Sequence, residues 1–215
     1  MKRYIPLLVF LFVQIHCLSA QTMFSGLVDI QSIDSTIVVD LMYSKADNFV
    51  GEKMYFFTTA YLHPKAAVAL KNANSCLREI DPSLRLIIYD AARPMSVQQK
   101  MWNKVKGTRQ QNYVSNPANG GGLHNYGLAV DVSIVDAKGD TLPMGTRVDA
   151  LTSLSHIDRE SELVRRGKIS TEARRNRELL RMVMQKAGFR SLRSEWWHFN
   201  YTTRADAKAN YRVVK

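Results

Sequence analysis

Cysteine is almost absent: the chain holds two in 215 residues, Cys17 and Cys76. Cys17 falls in an N-terminal stretch that reads as a removable leader, which leaves one thiol. One thiol closes no internal disulfide, so the fold must rest on its core. Cys76 falls on a helical pattern and reads as a small buried apolar residue. No histidine motif accompanies it, which argues against a nucleophile. There is no low-complexity tract, no internal repeat, and no apolar run of the roughly 20 residues that a membrane span needs. Histidine is scarce as well, with five in all. The context of each one therefore carries weight.

The longest apolar run, Pro6 to Val13, follows Lys2 and Arg3 and gives way to Ser19 and Ala20. Basic start, short apolar centre and small-residue end form the pattern of a secretory signal peptide. Gln14 and His16 interrupt the run, which disfavours an anchor. We expect residues 1–20 to be a signal peptide and residues 21–215 a single domain, exported to a periplasmic or extracellular location. Net charge is +11, and +9 without Lys2 and Arg3. A basic surface draws anionic partners by long-range attraction. For an exported chain these are wall polymers or headgroups rather than nucleic acid, and no stable membrane insertion is expected. The densest basic stretch, Arg174 to Arg181, has helical spacing and reads as a solvated face.

Apolar periodicity then divides the chain. Ile30 to Leu41 alternates and ends in Val38-Val39, which predicts a strand; Tyr43 to Gly51 reads as a loop. Pro64 to Ile80 is helical, with Leu70, Ala73, Leu77 and Ile80 on one face. Leu84 to Tyr89 predicts a strand, and Asp90 to Pro94 a tight corner, because Pro94 pushes Arg93 away from helical geometry. Ser96 opens a second helix with Gln99 completing a capping box. Its apolar face is Val97, Met101, Trp102 and Val105, and Gly107 ends it. Thr108 to Leu123 is a long polar loop. Leu128 to Val135 alternates cleanly, with Ala129, Asp131 and Ser133 on one face, and Asp136 to Asp140 makes a turn. Thr171 to Ala187 is a helix stopped by Gly188, and Glu195 to Tyr201 is an aromatic strand. Strands and helices come in runs, so the expected class is α+β with a small antiparallel sheet flanked by helices.

Two local contexts carry chemistry. In Gly121-Gly-Leu-His124-Asn-Tyr-Gly127-Leu-Ala-Val-Asp131, a histidine closes a glycine-rich loop and a carboxylate sits inside the next strand. A buried carboxylate needs a charged partner or a metal, and an Arg or Lys pair would serve as well as an ion. In Glu195-Trp-Trp-His198-Phe, two tryptophans wall a glutamate and a histidine; an aromatic core strand would look the same. Taken together, His124, Asp131 and His198 supply the three protein ligands of catalytic zinc, and Glu195 is left as the accessory base. Period-two alternation puts Glu195 and His198 on opposite faces. Both reach one site only if Glu195 lies at the strand entrance or a bulge intervenes. Arg93, fixed by Pro94, suits an oxyanion or a substrate carboxylate; pairing with Asp90 is the structural alternative. His63 reads as structural, and His156 as a surface residue or a neighbour of the site.

These residues carry a resemblance. The sequence resembles the D-alanyl-D-alanine dipeptidases, the VanX-type branch of the zinc D-Ala-D-Ala peptidases, in five segments taken in order. They are Asp40-Leu-Met-Tyr43 with Asp47 to Gly51; Asp90 to Pro94; His124 to Asp131; Pro143-Met-Gly-Thr146 with Asp149; and Gly188-Phe189 with Glu195 to His198. The resemblance implies one Zn2+ per chain on His124, Asp131 and His198, with Glu195 as catalytic base and Arg93 stabilising the transition state. Asp149 and Tyr43 would receive the ammonium of a small dipeptide. It also implies a hedgehog/D-Ala-D-Ala peptidase-like fold with zinc in a cleft on the sheet. The implied activity is hydrolysis of D-alanyl-D-alanine and related D,D-dipeptides in wall-peptide turnover or salvage. A zinc carboxypeptidase or endopeptidase acting on peptidoglycan stem peptides is the alternative. Gly122 stands where that family has serine, and Asn125-Tyr126 where it has Ser-Arg. The loss of a hydroxyl at Gly122 bears on substrate selectivity.

Overall fold

The computed structural model describes residues 23–215. The predicted signal peptide, residues 1–20, lies outside the described residues. Seven strands and six α-helices are used below: β1 Val28–Asp29, α1 Ile30–Ile33, β2 Val38–Val39, β3 Tyr61–Leu62, α2 Pro64–Ile80, β4 Arg85–Asp90, α3 Met95–Val105, β5 Ala129–Val135, α4 Glu160–Arg165, α5 Thr171–Lys186, β6 Arg190–Leu192, β7 Glu195–Asn200 and α6 Arg204–Asn210. Short 3-10 turns fill much of the remaining chain. Among the described residues, no helix is long and apolar enough to cross a membrane.

The main sheet has the order β2-β4-β5-β7-β6. Pairs β4–β5, β5–β7 and β6–β7 are antiparallel, while β2 runs parallel to β4. The fully antiparallel sheet read from the sequence is corrected on this point. Val38–Val39 reaches β4 through the long α2 crossover rather than a hairpin, and a crossover of that kind returns a strand parallel to its neighbour. A second two-stranded sheet pairs β1 with β3.

The expected strand over Ile30 to Leu41 is also corrected. Its first part is helix α1, capped where the Asp29 side chain accepts from the Gln31 N–H. Only Val38–Val39 extends. The apolar positions Ile30 and Ile37 are buried in both readings, and their spacing did not separate a short helix from a strand. Helix α2 has the predicted bounds, with Pro64 in its first turn and His63 at its N-cap accepting from the Lys65 N–H. That gives His63 the structural role expected of it. Helix α3 begins at Met95 after Pro94, and the expected capping box is absent: no side chain caps its start, and Gln99 bonds Asn103 instead. Pro94 and Met95 already fix this corner through the Met95 N–H to Val214 O bond.

The core lies between the sheet and helices α2 and α5. Leu70, Leu77, Leu180 and Val183 pack with Leu86, Ile88, Val130, Val132 and Ile134, all buried. Each buried leucine-sized side chain contributes about 1.5–3 kcal/mol. Cys76, half-buried, packs at the rim of this cluster and is a free thiol. β5 alternates as predicted, but both of its faces are covered. The apolar even-numbered residues meet the helices. Asp131 and Ser133 look the other way, onto a sheet face covered by loops.

Candidate metal centre and active-site cleft

Three adjacent strands bring the polar groups side by side. Asp90 of β4 is opposite Asp131 of β5, which is opposite His198 of β7. A register shift between Ile88 and Asp90 leaves Tyr89 unpaired and turns Asp90 onto the Asp131 face. Such a bulge re-aims one side chain without displacing the strand. His124 arrives from the 3-10 turn Leu123–Tyr126 just before β5. Gly121 and Gly127 bracket this turn with φ of 67° and 65°. A Cβ at Gly121 would strike the Asn125 side chain, and one at Gly127 would come within 3.0 Å of Leu27. Only glycine fits both the backbone and the space.

His124, Asp131 and His198 place one donor atom each within 4.8 Å of the others. His124 Nε2 lies 3.2 Å from His198 Nδ1 and 3.3 Å from Asp131 Oδ1, and His198 Nδ1 lies 3.0 Å from Asp131 Oδ1. A tetrahedral zinc with ligands at about 2.0–2.1 Å separates its donors by about 3.3 Å. The triangle therefore has the size such an ion needs.

The outer nitrogens of both imidazoles are engaged. His124 Nδ1 is 2.7 Å from the Ala91 carbonyl, an acceptor only, so Nδ1 carries the proton. His198 Nε2 is 2.9 Å from Asn200 Oδ1, which holds the ring with Nδ1 turned inward. Each ring thereby presents its inner nitrogen to the same point, as a metal ligand must. Two inner nitrogens and a carboxylate oxygen then converge on one point, where a metal ion can replace the protons they would otherwise share. Burial opposes a charge on His124, yet Asp131 and Asp90 outweigh it and raise its pKa above the ordinary imidazole value. For Asp131, burial works against ionisation, but His124 and His198 pull its pKa well below the usual carboxylate range. The donor set fits a divalent metal of borderline softness.

Glu195 lies on the same cleft as His198. The pairing of β6 with β7 jumps from Ser191↔Phe199 to Leu192↔Glu195, so one step on β6 answers to four on β7. Glu195 is also the first residue of its strand. The two ways out of the alternation problem, strand entrance and bulge, operate together. Glu195 is buried. Burial pushes its carboxyl up to about 8; His198 and Arg93 pull it down, while Asp131 and Asp149 add to the rise.

Arg93 makes the structural pair with Asp90 and also faces the cleft. Its Nε and Nη2 donate to Asp90 Oδ2, and its Nη1 donates to Gln98 Oε1 at 2.9 Å. Asp90 is saturated by the Tyr55 hydroxyl at 2.6 Å. The guanidinium still lines the cleft, stacked 5.3 Å over the Tyr43 ring and 4.0 Å from Asp131 Oδ2. Two of its five donors remain for the cleft.

The Tyr43 hydroxyl donates to Asp149 Oδ2 at 2.6 Å. Asp149 has φ 64°, the one non-glycine positive φ among the described residues. Such a conformation costs of order 1–3 kcal/mol and clusters at functional positions. Asp149 is open to the cleft on one side and enclosed by protein on the others. This burial pushes its carboxyl up to about 7, against the Tyr43 hydrogen bond and with the help of Asp131.

All seven residues singled out from the sequence meet in this one cleft of about 190 Å3. A larger cavity of about 570 Å3 lies between the Asp40–Asp47 and Thr141–Val148 segments and contains none of the three donors. Pockets for drug-sized ligands run about 300–1,000 Å3, so the cleft suits something smaller. His156 stands beside the cleft as expected, its Nε2 3.1 Å from the hydroxyl of cleft-lining Tyr113. The sequence reading missed Asn200, Asp90 as a buried anchor, Gln98, Tyr113, Ser115 and Arg204. Asn200 had a signal, since it follows His198 by two on a strand and shares its face. Asn125, a departure from the family pattern, is fully buried; its amide accepts from the Gly122 N–H and donates to the Arg93 carbonyl. At Gly122 an added Cβ would come within 3.0 Å of Ser115 Oγ, so a hydroxyl from the polar loop occupies that corner of the cleft.

A family model described as D-ala-D-ala dipeptidase matches residues 23–214. A D-alanyl-D-alanine dipeptidase of Escherichia coli (strain K12) is 34% identical over 173 residues, covering 80% of this chain and 83% of that protein. One from Synechocystis sp. is 28% identical over 71% of this chain and 72% of its own. One from Enterococcus faecalis is 24% identical over 74% and 83%. The match to the model spans nearly every described residue, the metal-type triangle included. The chain belongs to the D-Ala-D-Ala dipeptidase family of metallopeptidases.

Proposed function

We propose that this chain is a zinc-dependent dipeptidase that hydrolyses D-alanyl-D-alanine and related D,D-dipeptides. One observation carries the reading. Each imidazole has its outer nitrogen engaged and turns its inner nitrogen toward a shared point, the two 3.2 Å apart beside a carboxylate oxygen, in a cleft of dipeptide size.

His124 Nε2, His198 Nδ1 and Asp131 Oδ1 would hold the ion. When bound, zinc polarises the scissile carbonyl and lowers the pKa of a bound water toward about 7. Glu195 accepts the proton of the attacking water and returns it to the amine as the C–N bond breaks. Burial holds this carboxyl up to about 8 in the metal-free cleft, and the charge of a bound cation would bring it down so that it is ionised to accept the proton. The free Arg93 donors receive the developing oxyanion, and Asp90 and Gln98 hold the guanidinium still for that purpose. Asp149, braced by Tyr43, takes the substrate ammonium. An ammonium there restores the charge that burial suppresses on Asp149. Gly122 and Ser115 shape the wall opposite, and they set which D,D-dipeptides are accepted beside D-Ala-D-Ala.

The sheet-borne cleft supports the hedgehog/D-Ala-D-Ala peptidase-like architecture, with residues 21–215 as one catalytic domain. The leader pattern of residues 1–20 supports export, and with it turnover or salvage of dipeptides released from wall peptides outside the cytoplasm. The test is direct. Zinc-loaded protein should release D-alanine from D-Ala-D-Ala, lose this activity to a chelator, and leave N-acetyl-D-Ala-D-Ala largely intact. Equal turnover of the acetylated substrate would favour the carboxypeptidase or endopeptidase reading. Absence of turnover on a panel of D,D-dipeptides with zinc bound would end the dipeptidase reading.

A further inference from the structure

A free dipeptide is a zwitterion, and the reading above assigns a partner only to its ammonium. We propose that Arg204 receives the substrate's terminal carboxylate and so makes the cleft specific for free dipeptide acids; this rests on the dipeptidase reading.

Two arginines line the cleft, Arg93 and Arg204. Arg93 is committed: three of its donor contacts go to Asp90 and Gln98. Arg204 is not. Its one side-chain hydrogen bond runs from Nη2 to the Asn119 carbonyl at 3.0 Å. Among the described residues no carboxylate lies within 4.0 Å of its nitrogens. An unneutralised guanidinium with four free N–H groups therefore stands on a cleft whose other charged groups are mainly carboxylates. The Asn119 contact steadies the side chain without consuming its charge.

Placement agrees with the chemistry. Tyr43 and its partner Asp149 stand where the chain leaves β2, on the β2–β4 side of the sheet. Arg204 begins α6, four residues after Asn200 ends β7. The helix it begins packs on the turn that carries His124, and the metal-type donors line the same cleft as Arg204, Tyr43 and Asp149. One cleft that offers an acid, the metal-type donors and a free cation has a partner for each part of a dipeptide: ammonium, scissile bond and carboxylate. Its amine and carboxylate are about 7 Å apart when extended, and neighbouring strands are about 4.8 Å apart. Reading both ends fixes substrate length: a longer peptide would set a neutral amide against Asp149 or against Arg204.

The test compares D-Ala-D-Ala with its C-terminal amide, using zinc-loaded full chain in wild-type, Arg204→Ala and Arg204→Lys forms, with zinc content and Tm recorded for each. Wild type should favour the acid over the amide. Arg204→Ala should raise KM for the acid about 10- to 100-fold, leave the amide nearly unchanged, and bring the two substrates together, with kcat for the acid little altered. Arg204→Lys should recover part of the preference. Loss of the Asn119 tether alone would slow both substrates alike. An acid-to-amide ratio unchanged in Arg204→Ala overturns the carboxylate assignment while leaving the dipeptidase reading intact. Failure of wild type to hydrolyse either substrate overturns that reading and this one with it.

Discussion

His198 stands opposite Asp131 across the β5–β7 ladder, with its Nδ1 3.0 Å from Asp131 Oδ1 and its Nε2 2.9 Å from Asn200 Oδ1. Asn200 thus decides which nitrogen faces the donors. Replacing it with leucine frees the ring to take the other tautomer, with the proton on the inner nitrogen. We expect Asn200→Leu to weaken zinc affinity about 10- to 100-fold, read by competition with a chelating dye. Unchanged affinity would show that the ring is oriented by the Asp131 contact alone.

Glu195 is not one of the three donors, so its role separates from theirs. Glu195→Gln keeps the shape and removes the base. It should retain stoichiometric zinc and lose about 10²- to 10⁴-fold in kcat. Substituting His124 or His198 by alanine should lose the metal itself. Metal analysis beside steady-state kinetics distinguishes the outcomes, and wild-type kcat in Glu195→Gln would remove Glu195 from the mechanism.

The metal-free protein should become less stable as pH rises. Asp149 and Glu195 have folded-state values raised to about 7 and about 8. A raised carboxyl contributes stability that is fully present below its unfolded value, near 4, and is lost as pH rises through the folded value. The decline therefore runs from about pH 4 to about pH 8. Zinc binding supplies a cation close to both carboxylates and should flatten it. Thermal melts of chelated and zinc-loaded protein between pH 5 and 9 read the difference; parallel curves would contradict the assignment.

Most of the site was legible in the sequence because its residues sit at local discontinuities. A histidine after three glycines, an aspartate inside an apolar strand and a glutamate beside two tryptophans are each hard to explain by packing. The cleft's supporting groups were less visible. Asp90 pairs with Arg93 three residues on, a spacing that many surface pairs share, and its burial depends on the Tyr89 bulge, which no periodicity announces. Arg204 lies on a polar helix whose seven residues look like any solvated turn. The fold errors have the same origin. The parallel β2–β4 pair is set by the α2 crossover, a non-local fact, and α1 is too short for helical period to beat strand period over Ile30 to Ile37.

Arg177 gives the farthest-reaching test of how the scaffold holds Asp149. Its charge lies in the basic run that read as a solvated face, yet the side chain is fully buried. Burial pulls its pKa down to about 10, and Glu160 works against that. Nε donates to the Met144 carbonyl at 2.7 Å, and both Nη groups donate to the Leu154 carbonyl at 3.1 Å. The guanidinium also lies 5.6 Å from the ring of Trp196, whose Nε1 donates to Thr146 Oγ1. One cation therefore closes both ends of the segment that carries Asp149 at its strained φ. Arg177→Met fills the volume but leaves two buried carbonyls without donors, at about 1–3 kcal/mol each. We expect a loss of about 2–5 kcal/mol, or a Tm lower by roughly 5–15 °C for a domain of this size. In protein still folded at the assay temperature, KM for D-Ala-D-Ala should rise more than kcat falls, because in the proposed mechanism Asp149 binds substrate and Glu195 transfers the proton. A fall in kcat alone would mean that Arg177 acts through Trp196 on the Glu195 strand instead.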